Sequence, residues 1–169
     1  MLVLIEHEIT SAFTFLCGPL CGGTIYAADR IDFSGSYSLT PSKKSGNTSK
    51  ESLKTLTVVQ SENSIGITEV EDGRTNTYQY PLDGREGVYV SPGGVKGTCK
   101  GQLKKNYLVL DSLVTTRLQN NGPAVQIHTK QKWELSPDLK TLKIHVDVDS
   151  PQSPIILLEP WTEIYTRNQ

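Results

Sequence analysis

Cysteine, histidine and N-terminal basic residues are the scarce items in this chain, and each scarcity removes a class of chemistry. Of 169 residues only Cys17, Cys21 and Cys99 are cysteines and only His7, His128 and His145 are histidines. No lysine or arginine precedes Arg30, whereas Glu6 and Glu8 do. No stretch carries a sustained 3.6-residue apolar period, so amphipathic helices, and with them basic membrane-surface helices, are not expected. The whole chain balances 17 Lys and Arg against 18 Asp and Glu. Without Glu6 and Glu8 the count from Asp29 onward is 17 against 16, which supplies no clustered positive footprint for a phosphate backbone. Nucleic acid is therefore not an expected partner.

What the N-terminus has is an apolar or small-residue run from Ile9 to Tyr26, ending in Ile25, Tyr26, Ala27, Ala28 and Asp29. Such a run before small residues resembles a secretory signal, with cleavage near Ala27 or Ala28. Gly18, Pro19, Gly22 and Gly23 would interrupt a spanning helix, so a membrane anchor is the poorer reading and no integral membrane segment is expected in the mature chain. Leu16 and Leu20 precede Cys17 and Cys21 where lipoprotein processing needs a small residue. These features predict a signal peptide over 1–28 and one exported domain over 29–169, periplasmic or secreted. Cys99 is then the sole cysteine of the mature chain, and no internal disulfide can form.

From position 31 onward the chain reads as β-prone runs at about 31–39, 53–61, 64–71, 74–82, 86–91, 95–104, 107–118, 123–135, 142–149 and 155–166. Turn chemistry separates them: Asp72-Gly73, Asp83-Gly84, Pro92-Gly93-Gly94, Asn120-Asn121-Gly122 and Ser136-Pro137-Asp138. Short strands joined by hairpins make an all-β, antiparallel up-and-down sheet, and closing it into a barrel of about eight to ten strands removes its edges. The polar stretch from Pro41 to Ser52 has no apolar residue to pack and reads as a loop at one barrel end.

Two hairpins fix a register. Val125, Ile127, Thr129, Gln131, Trp133 and Leu135 alternate with Gln126, His128, Lys130, Lys132 and Glu134. On the returning arm Leu142, Ile144, Val146 and Val148 alternate with Lys143, His145, Asp147 and Asp149. Setting Leu135 opposite Leu142 matches apolar with apolar and places Glu134 by Lys143, Lys130 by Asp147 and His128 by Asp149. Closing the preceding hairpin at Leu118 and Pro123 sets Asp111 opposite Lys130, so Lys130 is expected between two aspartates. Leu108, Leu110, Ser112, Val114 and Thr116 then point inward, and Cys99 falls inward opposite Ser112.

Asp32-Phe33-Ser34-Gly35-Ser36-Tyr37-Ser38-Leu39 resembles the entry strand of lipocalin-like (calycin) barrels, with Tyr37 where that family usually carries Trp. The stretches 77–84 and 133–142 and the closing Ile164-Tyr165-Thr166-Arg167 resemble small secreted bacterial domains of the same group. The resemblance implies a barrel closed by first and last strands, with Arg167 packed over Tyr37 through a cation–π contact.

Catalytic constellations are not legible. Ser34 beside Gly35 lacks the strand-to-helix elbow of a nucleophilic serine. Cys99 reads as a buried neutral thiol. The glycines lie in β context, without the helix N-terminus a phosphate cradle uses. His128 and His145 are separated by the register and read as solvated, so neither a metal site nor a cofactor is expected. The acidic groups Glu69, Glu71, Asp72 and Asp147, Asp149 read as solvated surface charge. The interior remains: Tyr78, Tyr80, Ser112, Thr129, Gln131 and Trp133 would put a few polar and aromatic groups among aliphatic ones, the composition that orients a small ligand. The leading expectation is a non-enzymatic exported barrel that binds a small, largely apolar molecule. The alternative is a solid-core barrel serving as an envelope-associated or protein-interaction module, with an exposed apolar patch near 155–161.

Overall fold

In a computed structural model, which describes residues 30–40, 53–117, 122–150 and 159–169, the described residues form ten strands and no helix. They are β1 (Gly35–Leu39), β2 (Lys54–Gln60), β3 (Ser64–Glu71), β4 (Arg74–Pro81), β5 (Gly87–Val90), β6 (Lys96–Leu103), β7 (Leu108–Arg117), β8 (Ala124–Leu135), β9 (Thr141–Asp149) and β10 (Trp161–Arg167). The expected signal segment, the 41–52 loop and most of the 155–161 patch lie outside the described residues. No helix among those described is long and apolar enough to cross a membrane.

All ten strands form one antiparallel sheet in the order β4-β3-β2-β1-β10-β9-β8-β7-β6-β5. First and last strands are hydrogen-bonded neighbours, Tyr37 opposite Arg167, and the sheet curls until its two edges, β4 and β5, meet at a seam. The result is a nearly closed up-and-down barrel. The turns supply the curl's hairpins by backbone chemistry. Asp72 (φ 49°) and Gly73 (φ 77°) both occupy the left-handed region, which the favoured two-residue hairpin turn demands and which Asp and Gly tolerate best.

The register follows the alternation of apolar residues. Leu135 faces Leu142, Trp133 faces Ile144, Lys130 faces Asp147 and His128 faces Asp149, while Asp111 faces Lys130 and Cys99 faces Ser112. Side-chain pairing keeps the direct His128–Asp149 contact and otherwise departs from the direct cross-strand scheme. Asp111 meets His128 diagonally, Oδ1 to Nε2 at 2.8 Å, and His128 Nδ1 lies 3.4 Å from Asp149. His128 is thus engaged with two carboxylates rather than solvated. Glu134 pairs along its own strand with Lys132 at 2.7 Å.

At the entry, strand pairing begins at Gly35 rather than near 31 because a side chain takes over the backbone bonding. Gln60 Oε1 accepts the Phe33 N–H at 3.1 Å and Gln60 Nε2 donates to the Ile31 carbonyl at 3.0 Å. Phe33 is thereby folded under the barrel, edge-on to Trp133 with ring centroids 6.3 Å apart. With Tyr37, Leu108, Leu142 and Tyr165 it is fully buried, and this group fills one end of the interior. Burial of each such side chain contributes about 1.5 to 3 kcal/mol, so this plug is a substantial part of the apolar core.

Candidate functional site

Above the plug lies a cavity of about 240 Å3. Its wall is built by period-2 alternation, which turns every second residue of each strand inward. Leu56, Ile67, Ile144, Val146 and Val148 give it apolar surface, and Trp133 forms part of the wall next to the plug. Of the residues singled out from sequence, Tyr78, Tyr80, Thr129, Gln131 and Trp133 are on the wall. Ser112 is buried behind it and interacts with the hydroxyls of Tyr80 and Tyr89. Gln131 Oε1 accepts the Trp133 indole N–H at 2.8 Å, which fixes both side chains.

Tyr89 of β5 reaches across the seam. Its ring stacks on Tyr78 with centroids 5.5 Å apart and tilts against Tyr80 at 6.1 Å, so aromatic contact replaces the missing β4–β5 ladder. The backbone of β4 explains why a ladder is missing there. Leu82 donates its N–H to Asn63 on the β3 side, so by alternation the backbone groups of Gln79 and Pro81 face the seam. Pro81 has no N–H to offer. The Gln79 carbonyl instead accepts the Cys99 thiol at 3.4 Å. Gly87 is needed at this point because a Cβ there would lie 2.8 Å from the Pro81 ring. Burial raises the Cys99 thiol pKa and holds it in the neutral form.

Away from the plug, the wall turns polar through residues that the strand alternation carries inward beyond the last aliphatic position. Lys54 of β2 lies between Glu69 of β3, 2.8 Å away, and Glu163 of β10, 3.1 Å away. These side chains are only 15%, 17% and 21% exposed, so Glu69 is an interior group and not the solvated surface charge its neighbours in sequence suggest. Glu163 also accepts the Tyr165 hydroxyl at 2.7 Å. Burial works against the Lys54 ammonium, but the hydrogen bonds and Coulombic attraction of the two carboxylates outweigh it and lift its pKa above the ordinary lysine value. Desolvation, reinforced by Glu163, pushes the Tyr165 phenol strongly upward, and burial does the same to Tyr78, Tyr80 and Tyr89. Trp161, 40% exposed, stands at the mouth. Among the described residues no group of three or more His, Cys, Asp or Glu is placed to hold a metal ion.

At the far side of the plug, Arg167 lies over the Tyr37 ring, its guanidinium carbon 5.3 Å from the centroid. One terminal nitrogen donates to the Ser34 carbonyl at 2.6 Å and to the Tyr37 hydroxyl at 2.8 Å, and that hydroxyl donates onward to the Phe33 carbonyl at 2.8 Å. The closure implied by the family resemblance is therefore present in geometry, and Gly35 (φ 150°) makes room for it. A Cβ at Gly35 would sit 3.0 Å from the Arg167 Nε.

Sequence reasoning did not find Lys54, Glu69, Glu163, Tyr165 or Tyr89. The signal was available in the alternation itself. Lys54 precedes inward Leu56 and Val58 by two and four positions, and Glu69 follows inward Ile65 and Ile67 in the same way.

No protein-family model matches the chain, and no curated protein matches it by sequence. Its similarities are to solved structures. The REP1-NXSQ fatty acid transporter superposes with a TM-score of 0.56 at 13% identity, covering 80% of this chain and 96% of its own. Fatty-acid-binding protein 1 of Echinococcus granulosus gives 0.54 at 12% identity, covering 81% and 98%. Zebrafish ileal bile acid-binding protein, solved with cholic acid, gives 0.54 at 11% identity, covering 80% and 98%. Strand order, first-to-last closure and these superpositions together give this chain the lipocalin-like (calycin) β-barrel fold that its entry and exit strands resemble.

Proposed function

We propose that this protein is a non-enzymatic carrier that holds a small, largely apolar molecule inside its barrel. The observation that carries this reading is the cavity of about 240 Å3, lined by aliphatic, aromatic and a few polar side chains, with the charged Lys54, Glu69 and Glu163 gathered together. A barrel of this strand number can be filled solid or hold one small ligand, and this interior is not filled. At about 30 Å3 per water the space equals roughly eight water molecules, which suits a ligand of about as many heavy atoms. The structural neighbours named as fatty acid and bile acid binders support the same reading. Export after cleavage near Ala27 or Ala28 belongs to it, and the mass of the chain recovered from its own host tests that part.

The binding test is calorimetric titration with 1-octanol, a size-matched neutral probe. Saturable 1:1 binding with a negative heat-capacity change is the expected result, because apolar surface is removed from water. Val148→Phe, which fills the wall, should abolish binding while leaving the β-sheet circular dichroism intact. Equal binding by the variant, or none by the native chain, would overturn the reading and favour the solid-core interaction module.

A further inference from the structure

We infer that the ligand carries a cationic amine head and that the cavity discriminates against carboxylates. This rests on the carrier reading above and specifies the chemical class it would take. Lys54 is the only cation on the cavity wall among the described residues. Its three N–H groups are committed: to Glu69 Oε1 at 2.8 Å, to Glu163 Oε1 at 3.1 Å and to Glu163 Oε2 at 3.3 Å. Arg167, the cation under the plug, is held by the Ser34 carbonyl and Tyr37. A carboxylate head entering this cavity would meet no uncommitted positive group and would have to break the Lys54 pairs.

An ammonium head meets the opposite situation. Two carboxylates present about eight acceptor positions, against three donors from Lys54 and one from Tyr165. Two glutamates against one lysine also leave a formal charge of −1 inside a partly desolvated wall, where charge is screened less than at the surface. The aromatic wall adds to this, because Tyr78, Tyr89 and Trp161 line the same cavity and ring faces attract cations. Charge excess, acceptor excess and aromatic faces all favour the same headgroup.

The test compares three probes of one chain length, octylamine, 1-octanol and octanoate, titrated into the intact protein at neutral pH and moderate salt. Octylamine is expected to bind at least tenfold more tightly than octanoate, with octanol between them. Glu69→Gln and Glu163→Gln keep the side-chain shape and should each cut the octylamine-to-octanol affinity ratio several-fold, with octanol still binding. Octanol binding serves as the control that each variant still folds and retains its cavity. If octanol binds and octanoate equals or exceeds octylamine, the headgroup inference falls and the carrier reading stands. If none of the three probes binds, the carrier reading falls and takes this inference with it.

Discussion

Replacing Arg167 with alanine tests the closure of the barrel at the point where its first and last strands meet. The substitution removes a partly desolvated cation–π contact worth about 1 kcal/mol. It also removes charge-assisted hydrogen bonds to the Ser34 carbonyl and the Tyr37 hydroxyl, worth about 1.5 to 3 kcal/mol together. Against this, Arg167 Nε is buried without a partner, and deleting it returns about 1 kcal/mol of desolvation cost. The net loss is about 2 kcal/mol, which for a domain of this size lowers the thermal midpoint by about 6 °C. Lysine should recover less than half of the loss, because a point ammonium cannot lie flat on the ring while donating to the Ser34 carbonyl. Thermal unfolding followed by far-ultraviolet circular dichroism reads all three proteins. A midpoint for Arg167→Ala within about 1 °C of the native chain, or Arg167→Lys indistinguishable from native, would refute this account of the closure.

Further substitutions and conditions probe other parts of the same frame. At Gly97 a Cβ would fall 2.0 Å from the Leu113 carbonyl oxygen, so Gly97→Ala should cost about 3 kcal/mol in urea unfolding. Gly66→Ala, whose Cβ would meet only Val59 O at 3.8 Å, should stay within about 1 kcal/mol of native. Burial raises the Tyr80 and Tyr165 pKa values, and the two carboxylates raise that of Lys54. The folded state therefore holds these protons more tightly than the unfolded chain does. Their contribution is whole below about pH 10 and is lost as pH rises through the folded values. Tyrosinate absorbance should accordingly appear for Tyr80 and Tyr165 together with alkaline unfolding, and a separate titration of all tyrosines near pH 10 in the folded protein would contradict the buried assignments.

The strands, their turns and the register of the central hairpins were legible in the sequence because each rests on local rules. Alternation in Val125–Leu135 and Leu142–Asp149 admits one pairing that buries the apolar set, and Asp72-Gly73 is a hairpin turn wherever it stands between strands. The meeting of Tyr37 with Arg167 was legible only through family resemblance, since the two are 130 positions apart. What the tertiary structure alone decided is which inward charges converge. Lys54, Glu69 and Glu163 come from β2, β3 and β10, and each reads alone as an exposed strand-end charge. β2 is hydrogen-bonded to β3, but β1 lies between β2 and β10, so only the curl of the sheet brings Glu163 to the Lys54 ammonium. The same holds for the seam, where Tyr89 reaches Tyr78 only because the two edges of one sheet are bent together. Local periodicity settles which face a side chain takes. Closure of the sheet settles which side chains share that face, and so gives this interior its charge.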